Sequence, residues 1–382
     1  MRGRSATKTA ILTYDRDGGW STPMPALDSE STLVAVFAAA DYFDAPEPFL
    51  DLSEAFPTSV VVGCSTAGEI SGGRVHDDTI VVAICKFDTA TLRLASASID
   101  RTSMSRSAGA SIARDLASPD LRSVLVLSEG LSVNGSDLAR GLAGVFGSSV
   151  LVTGGPAADP GRFERTWVLH NGLPAMNRVS AVGFYGDSVE VSYGYQGGWD
   201  IFGPQRKVTR SVGTVVYELD GEPALDLYEK YLGELAADLP GSGLLFPLAV
   251  WSDDPGDQVV RTLLGIDRER RSVTFAGDVE EGSWAQLMQA NFDRLVEGAS
   301  SAAEMARGHS DGRDALALAV SCVGRKLVLG DRVEDEAEAA LESLPWGAVQ
   351  AGFYSFGELS PNGVGRCDLH NQTMTITVIS EV

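Results

Sequence analysis

Residues 60–71 read VVVGCSTAGEIS, and residues 349–360 read VQAGFYSFGELS. Aligned without a gap, the two stretches match at Gly63 and Gly352, at Gly68 and Gly357, and at Glu69 and Glu358. The apolar start of each stretch predicts a buried strand, and the glycines predict a turn where that strand ends. The chain therefore contains a recurring unit, in which strand, loop and helix lead to a second strand with a glycine-rich end.

A third, looser copy begins at Val150 and reads VLVTGGPAAD. Downstream of the turn, the first copy continues to His76-Asp77-Asp78-Thr79 and the last to His370-Asn371-Gln372-Thr373, while the middle copy has His170-Asn171. We expect these histidines to occupy corresponding places in three units. Each would introduce the return strand of its unit.

The pattern of apolar residues predicts an α/β (α+β) fold. We expect two related halves built from repeated strand-helix-strand units, with mixed sheets and flanking helices in an α-β-β-α layering. Buried strands are predicted at residues 33–37, 60–62, 80–84, 124–127 and 150–152, and helices at 104–116, 137–146, 223–232 and 284–307. Ser283 is expected to cap the last of these helices.

The domain boundaries are predicted from loops rich in glycine and proline. We expect an N-terminal extension at 1–29, one domain at 30–222 and a second at 223–382, with the Gly/Pro loop Gln196–Pro204 as a junction between subdomains. The acidic stretch 253–257 lacks the EF-hand spacing and fits a solvated turn better than a calcium site.

Composition excludes several classes of protein. The 382 residues hold 30 basic and 52 acidic side chains, a net charge of -22, which opposes nucleic-acid or anionic-membrane binding. The N-terminus has no apolar stretch long enough for a signal peptide, and no run approaches a transmembrane span, so we expect a soluble cytoplasmic protein. The four cysteines form no C-x-x-C pair and are expected to be free thiols.

The 42 glycines exceed the usual share of about 7 %. At the turns they permit a positive φ, or the close approach of a ligand or of another backbone segment. Strand ends with such turns are where α/β proteins place ligands. The alternative is that the glycines only turn corners, and that His with Asp or Asn forms a hydrogen-bonded corner. The repeat is compatible with both interpretations.

Three side-chain types carry candidate chemistry. Cys64 stands at a strand end and could be a nucleophile, but the spacing departs from G-x-S-x-G and the last copy has Phe353 there. Glu69 and Glu358 are the paired carboxylates of the repeat. Arg325 could hold a ligand carboxylate in a bidentate pair, or it could pair with the acidic helix that follows it.

Six motifs in order resemble the FIST family: VVVGCSTAGEI from Val60, GGPAAD from Gly154, PALDLYEKYLG from Pro223, SCVGR from Ser321, GFYSFGE from Gly352 and HNQTM from His370. The resemblance covers nearly everything from about residue 30 onward. It implies FIST N-terminal and C-terminal domains, and a sensory protein, not an enzyme, that acts on a separate partner such as a histidine kinase, a cyclic-di-GMP enzyme or a chemotaxis-type transducer.

The resemblance also implies a small ligand, amino-acid-like or another carboxylate, where the glycine-rich turns converge. Arg325 and turn N–H groups would hold its carboxylate, Glu69 or Glu358 its amine, and the expected contacts are Cys64, Ser65, Thr66, Glu69, Arg325, Tyr354, Ser355, Glu358, His370 and Asn371. One family subset resembles haem-binding nitric-oxide sensors, for which His170 would be the iron ligand. A Cys64-dependent hydrolase is the remaining alternative.

Overall fold

The computed structural model describes residues 7–252, 258–308, 313–363 and 365–382. The acidic stretch 253–257 therefore lies outside the described residues. Over the described ranges the strands form four sheets, with the helices packed on their outer faces. Within these ranges no helix is both long and apolar enough to cross a bilayer.

The first unit contains the first of the two quoted stretches. Its elements are β1 (Lys8–Asp15), β2 (Gly19–Trp20), β3 (Thr32–Ala39), α1 (Glu47–Ala55), β4 (Val60–Thr66), β5 (Glu69–Ser71), β6 (Arg74–His76) and β7 (Ile80–Lys86). β4 runs parallel to β3, and β7 runs antiparallel to β3 on its other side. β1 pairs with β7, so part of the predicted N-terminal extension is a strand of this sheet.

The second unit repeats this order. Its elements are β8 (Thr91–Ser98), α2 (Ser105–Leu116), β9 (Leu121–Ser128), α3 (Gly135–Phe146), β10 (Leu151–Pro156), β11 (Val168–His170), β12 (Leu173–Ala175) and β13 (Arg178–Tyr185). Asn134 caps α3 by accepting a hydrogen bond from the N–H of Asp137.

The third unit is divided by an insertion. After β14 (Val189–Gln196), the predicted junction loop carries the chain into a separate sheet with the strands β15 (Asp200–Ile201), β16 (Arg206–Val212), β17 (Val215–Leu219), β18 (Glu222–Pro223), β19 (Leu248–Trp251), β20 (Val259–Arg261), β21 (Leu263–Asp267), β22 (Ser272–Phe275) and β23 (Trp284–Gln289). Its helix, α4 (Ala224–Leu232), ends at Gly233 as predicted. We call this sheet with its helix the inserted sheet.

The third unit then resumes with α5 (Phe292–Met305), β24 (Ala315–Cys322), α6 (Val323–Leu329), α7 (Val333–Ser343), β25 (Ala348–Ser355), β26 (Glu358–Pro361), β27 (Cys367–His370) and β28 (Met374–Glu381). Short 3-10 turns lie at Ala40–Asp44, Thr102–Met104, Gly233–Asp238, Gly241–Leu245 and Gly330–Arg332.

The units exchange hairpins in a ring. The hairpin β5–β6 of the first unit pairs with β25 of the third, β11–β12 of the second pairs with β4 of the first, and β26–β27 of the third pairs with β10 of the second. Each of the three sheets is therefore completed by residues from another unit.

Strand alternation places a common core between the three sheets. In β3, Leu33, Ala35 and Phe37 face this shared core, whereas Val34 and Val36 face α1. β9 and β24 alternate in the same way between the shared core and their own helices. Burial on both faces accounts for the continuous apolar strands. The predicted mixed α/β fold is confirmed, and a path through any two of these sheets crosses helix, sheet, sheet and helix.

Close packing accounts for the glycines that the units share. Gly63, Gly154 and Gly352 lie opposite Val36, Val126 and Ala319 on the parallel neighbour. A Cβ at any of the three would collide with the carbonyl oxygen of that neighbour. These glycines therefore serve the approach of two backbone segments.

Some predicted elements are wrong. The helix expected at 284–307 is the strand β23 followed by α5, and α5 is capped by Asn291, whose side chain accepts from the N–H of Arg294, rather than by Ser283. Pro223 is the residue before α4 and not its first residue. The domain boundary expected between 222 and 223 stays a prediction; in the structure it lies between the two residues of β18, which pairs with β17.

Candidate functional site

The two repeated glutamates lie in equivalent hydrogen-bonded corners. Glu69 accepts from the side chain of Thr66 and from the N–H and hydroxyl of Thr79, at 3.2 and 2.7 Å for the latter two. Glu358 accepts from the Ser355 hydroxyl at 3.1 Å and from the N–H and hydroxyl of Thr373 at 3.1 and 2.6 Å. Each carboxyl therefore has its own set of hydrogen-bond partners, and these come from Ser and Thr rather than from the His with Asp or Asn of the alternative interpretation.

Burial perturbs both carboxyls. It raises the pKa of Glu69 to about 7 against the opposing effect of its hydrogen bonds from Thr66 and Thr79. It raises the pKa of Glu358 to about 8, again against its hydrogen bonds from Thr373 and Ser355. Both side chains are fully buried, so neither carboxylate is presented to an amine from solvent.

The glycine-rich turns converge, but on one another. The N–H of Ala67 donates to the carbonyl of Tyr354 at 2.9 Å, the N–H of Tyr354 donates to that of Gly68 at 2.9 Å, and the N–H of Ala158 donates to that of Ser65 at 2.9 Å. The side chain of Ser65 accepts from the N–H of Trp167 at 3.1 Å. These donors are therefore used in holding the three units together.

Cys64 does not fit the role of a nucleophile. Its side chain is fully buried in the core shared by the three sheets, with Phe37 and Phe353 in the same cluster. Burial raises the pKa of its thiol well above the ordinary value, and the charge of Glu69 adds to this shift. The hydrolase alternative is therefore wrong at Cys64, because the reactive thiolate is disfavoured and substrate has no access to it.

Arg325 pairs with the helix that follows it. Its Nε and Nη2 donate to Glu336 of α7 at 2.9 and 2.7 Å, and both side chains are fully buried. Nη1 donates to the carbonyls of Gly197 and Gln372, and Nη2 also donates to that of Leu295. These contacts use the five N–H groups of the guanidinium. Of the two roles expected for Arg325, the structure shows the pair with the acidic helix. No N–H group of the guanidinium is left to bind a ligand.

Tyr354 belongs to the same buried network. Its hydroxyl donates to Glu336 at 2.8 Å, and Glu336 also accepts from Ser321 at 3.1 Å. Burial raises the pKa of Tyr354 well above its ordinary value, and the charge of Glu336 raises it further. Its role is to satisfy the acidic partner of Arg325.

The three histidines do not all correspond. His76 stands opposite Glu69 in its hairpin, and His370 stands opposite Glu358. His170 instead ends the first strand of its hairpin and stands opposite Leu173. The expected three-fold correspondence is therefore wrong for His170.

His370 lines a cavity of about 430 Å³ between the third unit and the inserted sheet. The imidazole is buried, with 1 % of its surface exposed, and packs against Tyr195 with the ring centroids 4.6 Å apart and the rings inclined by 42°. It hydrogen-bonds the backbone of Ser360, and its Nε2 has no partner among the described residues. Burial lowers its pKa to about 4, so the ring is neutral and Nε2 carries a lone pair at neutral pH.

Other polar groups surround this cavity. Arg294 and Glu297 of α5 lie in its lining, and the Arg294 guanidinium also pairs with Asp200. Trp199 and Met288 supply apolar surface, while Gln258, Ser301 and Thr373 supply polar surface. Of the predicted site residues, the structure brings only His370 into this lining. The other lining residues come from β14, from the insertion, from α5 and from Thr373, and of these only Thr373 lies in a motif quoted above, HNQTM.

Asn371 is adjacent but faces the protein interior. It is fully buried, its Nδ2 lies 3.0 Å from the carbonyl of His370, and its Oδ1 has no partner among the described residues. Both polar atoms of Gln372, the next residue, are also without a partner in the described part of the chain. Unpaired buried polar atoms are uncommon in folded proteins. Three consecutive residues with such atoms, His370, Asn371 and Gln372, are therefore unusual.

A haem does not fit at His170. The side chain is part-exposed at the end of a short strand, and its Nε2 lies 3.4 Å from Nδ2 of Asn171. Burial lowers its pKa, and the charge of Arg178 does so further. The Nε2 of His370 has the chemistry of an axial ligand, but its cavity is lined by Arg294, Glu297 and several amides and hydroxyls. That lining does not suit an apolar macrocycle.

Known proteins with a distant likeness to this chain include an archaeal protein and a hydrolase. The chain is 26 % identical over 194 residues to an uncharacterized protein of Methanocaldococcus jannaschii, a match that covers 47 % of this chain and 36 % of that protein. The chain thus spans about a third of the length of the curated relative it matches. A cyanuric acid hydrolase from A. caulinodans aligns with 98 % of this chain and 99 % of its own at 9 % identity, with a TM-score of 0.36, too weak a likeness to support an argument.

The matches to family models cover more of the chain than the match to the archaeal protein does. The FIST N domain matches residues 32–222, and the FIST C domain matches residues 224–361. Together they include the inserted sheet and most of the three units, but not β1, β2, β27 or β28. The motifs that carried the resemblance lie within residues 32–361, except HNQTM, which begins at His370, nine residues after the second match ends. The chain belongs to the FIST family, whose domains are sensory domains of signal transduction.

Proposed function

We propose that this protein is a sensor that binds a small, polar, amino-acid-like ligand in the cavity at His370. The carrying observation is that His370 lines a 430 Å³ cavity and that its buried Nε2 has no partner among the described residues. A neutral imidazole whose other nitrogen is held by the backbone accepts one hydrogen bond in a fixed direction. A ligand amine or hydroxyl supplies the matching donor.

The charges at α5 favour a zwitterion. Glu297 attracts an ammonium group, and Arg294 attracts a carboxylate although it also pairs with Asp200. The volume lies within the ordinary range for small-molecule sites, about 300–1,000 Å³. The amino-acid-like ligand expected from the family resemblance is thus retained, with different contacts: the turns, Glu69, Glu358 and Arg325 are replaced by His370, Glu297 and Arg294.

The position of the cavity gives a route from binding to signalling. Val260 and Met288 belong to the inserted sheet, whereas His370 and Thr373 belong to the third unit. A ligand that contacts both changes the free energy of their relative arrangement. A histidine kinase, a cyclic-di-GMP enzyme or a chemotaxis-type transducer would recognise that arrangement on the surface.

The test is a thermal-shift and calorimetric screen with the twenty amino acids, small carboxylic acids and haem. A ligand that binds the folded state raises its unfolding temperature. We expect an amino acid to bind, and His370→Leu to weaken it at least tenfold. His76→Leu is the matched control, since His76 has the equivalent hairpin position in the first unit and is outside the cavity lining.

Glu297→Gln provides a second variant on the exposed surface of α5. It should weaken an amino acid several-fold but leave binding of the corresponding carboxylic acid unchanged. Equal effects on both compounds, or full affinity in His370→Leu, contradict the proposed site. A Soret band that His370→Leu abolishes would instead identify the cavity as a haem site.

A further inference from the structure

A second cavity, of about 450 Å³, also lies between the inserted sheet and the three units, and it shares no lining residue with the His370 cavity. One wall is formed by Thr262, Leu263 and Leu264 of the inserted sheet. The opposite wall is formed by Gly130, Cys322 and Val323, at the carboxyl ends of β9 and β24. This is the end of the strands at which α/β proteins bind ligands.

The lining of this cavity is apolar and aromatic. Phe163 and Phe356 stack at a centroid distance of 4.7 Å with their rings inclined by 17°. Phe163 is 51 % exposed and Leu327 is 53 % exposed, and Leu131 and Leu264 are also exposed. None of the described lining residues carries a charge, in a chain whose net charge is -22. Exposed apolar side chains gathered around a concave site mark a binding surface.

One polar side chain in the lining indicates that this cavity binds a ligand. Thr262 is buried, with 4 % of its surface exposed, and its Oγ1 has no hydrogen-bond partner among the described residues. A buried hydroxyl normally has a partner because burial removes it from water. Apolar walls with a single unpaired polar group are the usual composition of a small-molecule site.

We propose that this cavity, at Thr262, Phe163 and Phe356, binds a neutral aromatic molecule that carries one hydrogen-bonding group. The aromatic pair supplies a flat apolar surface, and Thr262 pairs with the polar group. The absence of charge among the described lining residues disfavours the zwitterion proposed for the His370 cavity. The two cavities therefore take ligands of different chemistry.

The test compares 2-naphthol with naphthalene, which differ only in the hydroxyl. We expect 2-naphthol to bind the 382-residue chain at one site. Thr262→Val should weaken 2-naphthol by about three- to tenfold, the contribution of one neutral hydrogen bond, and should leave naphthalene unchanged. Equal affinities of the variant and the parent protein for 2-naphthol overturn the role of Thr262.

Charged substitutions test the position of the site. Phe163→Asp and Leu327→Asp, both at exposed positions, should each weaken both probes at least tenfold. Val212→Asp, at an exposed residue 71 % accessible in β16, should have no effect. His370→Leu should also leave both probes unchanged, which separates this site from the proposed sensory cavity. If Phe163→Asp leaves naphthol binding intact, or converts a dimer of this chain to a monomer, the surface is not a ligand site and the proposal fails.

Discussion

At the scale of single residues, the hydrogen bonds around Glu358 indicate which protonation state the fold prefers. The hydroxyl of Ser355 has one proton but lies within hydrogen-bond distance of two acceptors, the carbonyl of Ser321 and Oε1 of Glu358, each at 3.1 Å. If Ser355 donates to Ser321, a protonated Glu358 can donate to Ser355. This arrangement of hydrogen bonds accommodates a protonated Glu358, in agreement with its raised pKa of about 8.

The pH dependence of stability follows from this shift. Because the folded-state pKa of Glu358 lies above its ordinary value of 4.5, the folded protein binds more protons than the unfolded chain between about pH 4.5 and 8. Its stabilising contribution is complete below that window and is lost as the pH rises through it. Glu358→Gln, which mimics the protonated carboxyl, should gain at least about 1 kcal/mol relative to the parent protein between pH 5 and pH 8.

Urea unfolding at pH 5, 6, 7 and 8 measures this change. Glu281→Gln, at an exposed position, is the control and should leave the pH profile of the parent protein unaltered. A constant difference between Glu358→Gln and the parent protein across the range would show that Glu358 does not titrate there.

The buried pair of Arg325 and Glu336 gives a second residue-scale prediction. Arg325→Met removes one partner of a fully buried ion pair and should destabilise the protein by about 3–5 kcal/mol in urea unfolding. The double variant with Glu336→Gln should recover part of this loss, because no unpaired charge remains. Arg122→Met, which breaks an exposed pair with Asp187, should change stability by less than about 1 kcal/mol. Additive effects of the two core substitutions would contradict the coupling.

The roles of these residues could be predicted only in part from the sequence. The stretch from Ser355 to Glu358 resembles a ligand loop, because a spacing cannot show which atoms already satisfy a carboxyl. A useful signal was present in Thr79 and Thr373, which follow His76 and His370 at the same distance and provide the partners of the two glutamates. By contrast, Arg294, Glu297 and Trp199 reach His370 only through the fold.

At the scale of elements, the glycines of the parallel strands should tolerate no side chain. Gly352→Ala places a Cβ against the carbonyl of Ala319 and should destabilise the protein by about 1–3 kcal/mol. Gly144→Ala is the matched control, since Gly144 is exposed in α3 and its Cβ would meet nothing within 4 Å. It should stabilise by about 0.5–1 kcal/mol. Equal unfolding midpoints for the two variants would contradict the close-approach explanation.

Element prediction succeeded where the burial pattern was continuous. β3, β7 and β9 contain the predicted apolar runs because both of their faces are covered. It failed at residues 284–307, where Leu287 and Met288 fit a helical spacing with Leu295. Asn291 separates the two elements, because its side chain caps α5. Apolar spacing alone does not distinguish a short strand that precedes a helix from the first turns of that helix.

At the scale of the whole molecule, the exchanged hairpins make the three units interdependent. The sequence predicts repeated units, but the pairing of β5 with β25 joins residues that are far apart along the chain, and no local pattern encodes it. We expect the units to unfold together, because removal of one leaves the sheets of the others incomplete.

Cysteine reactivity measures this cooperativity. Cys64 and Cys85 lie in the first unit and Cys322 and Cys367 in the third, and all are buried free thiols. All four should be protected from alkylation in the folded protein and should react with one common urea midpoint. An earlier midpoint for the cysteines of one unit would show that this unit opens independently.

The ring of hairpins also determines when the protein can complete its fold during synthesis. The hairpin at Glu69–His76 leaves the ribosome early, but its partner β25 is made only after most of the chain has been translated. At the usual synthesis rates of about 5–20 residues per second, this delay lasts about 15–60 seconds. During that interval a strand edge of the first unit has no native partner, and the growing chain depends on protection from association with its neighbours.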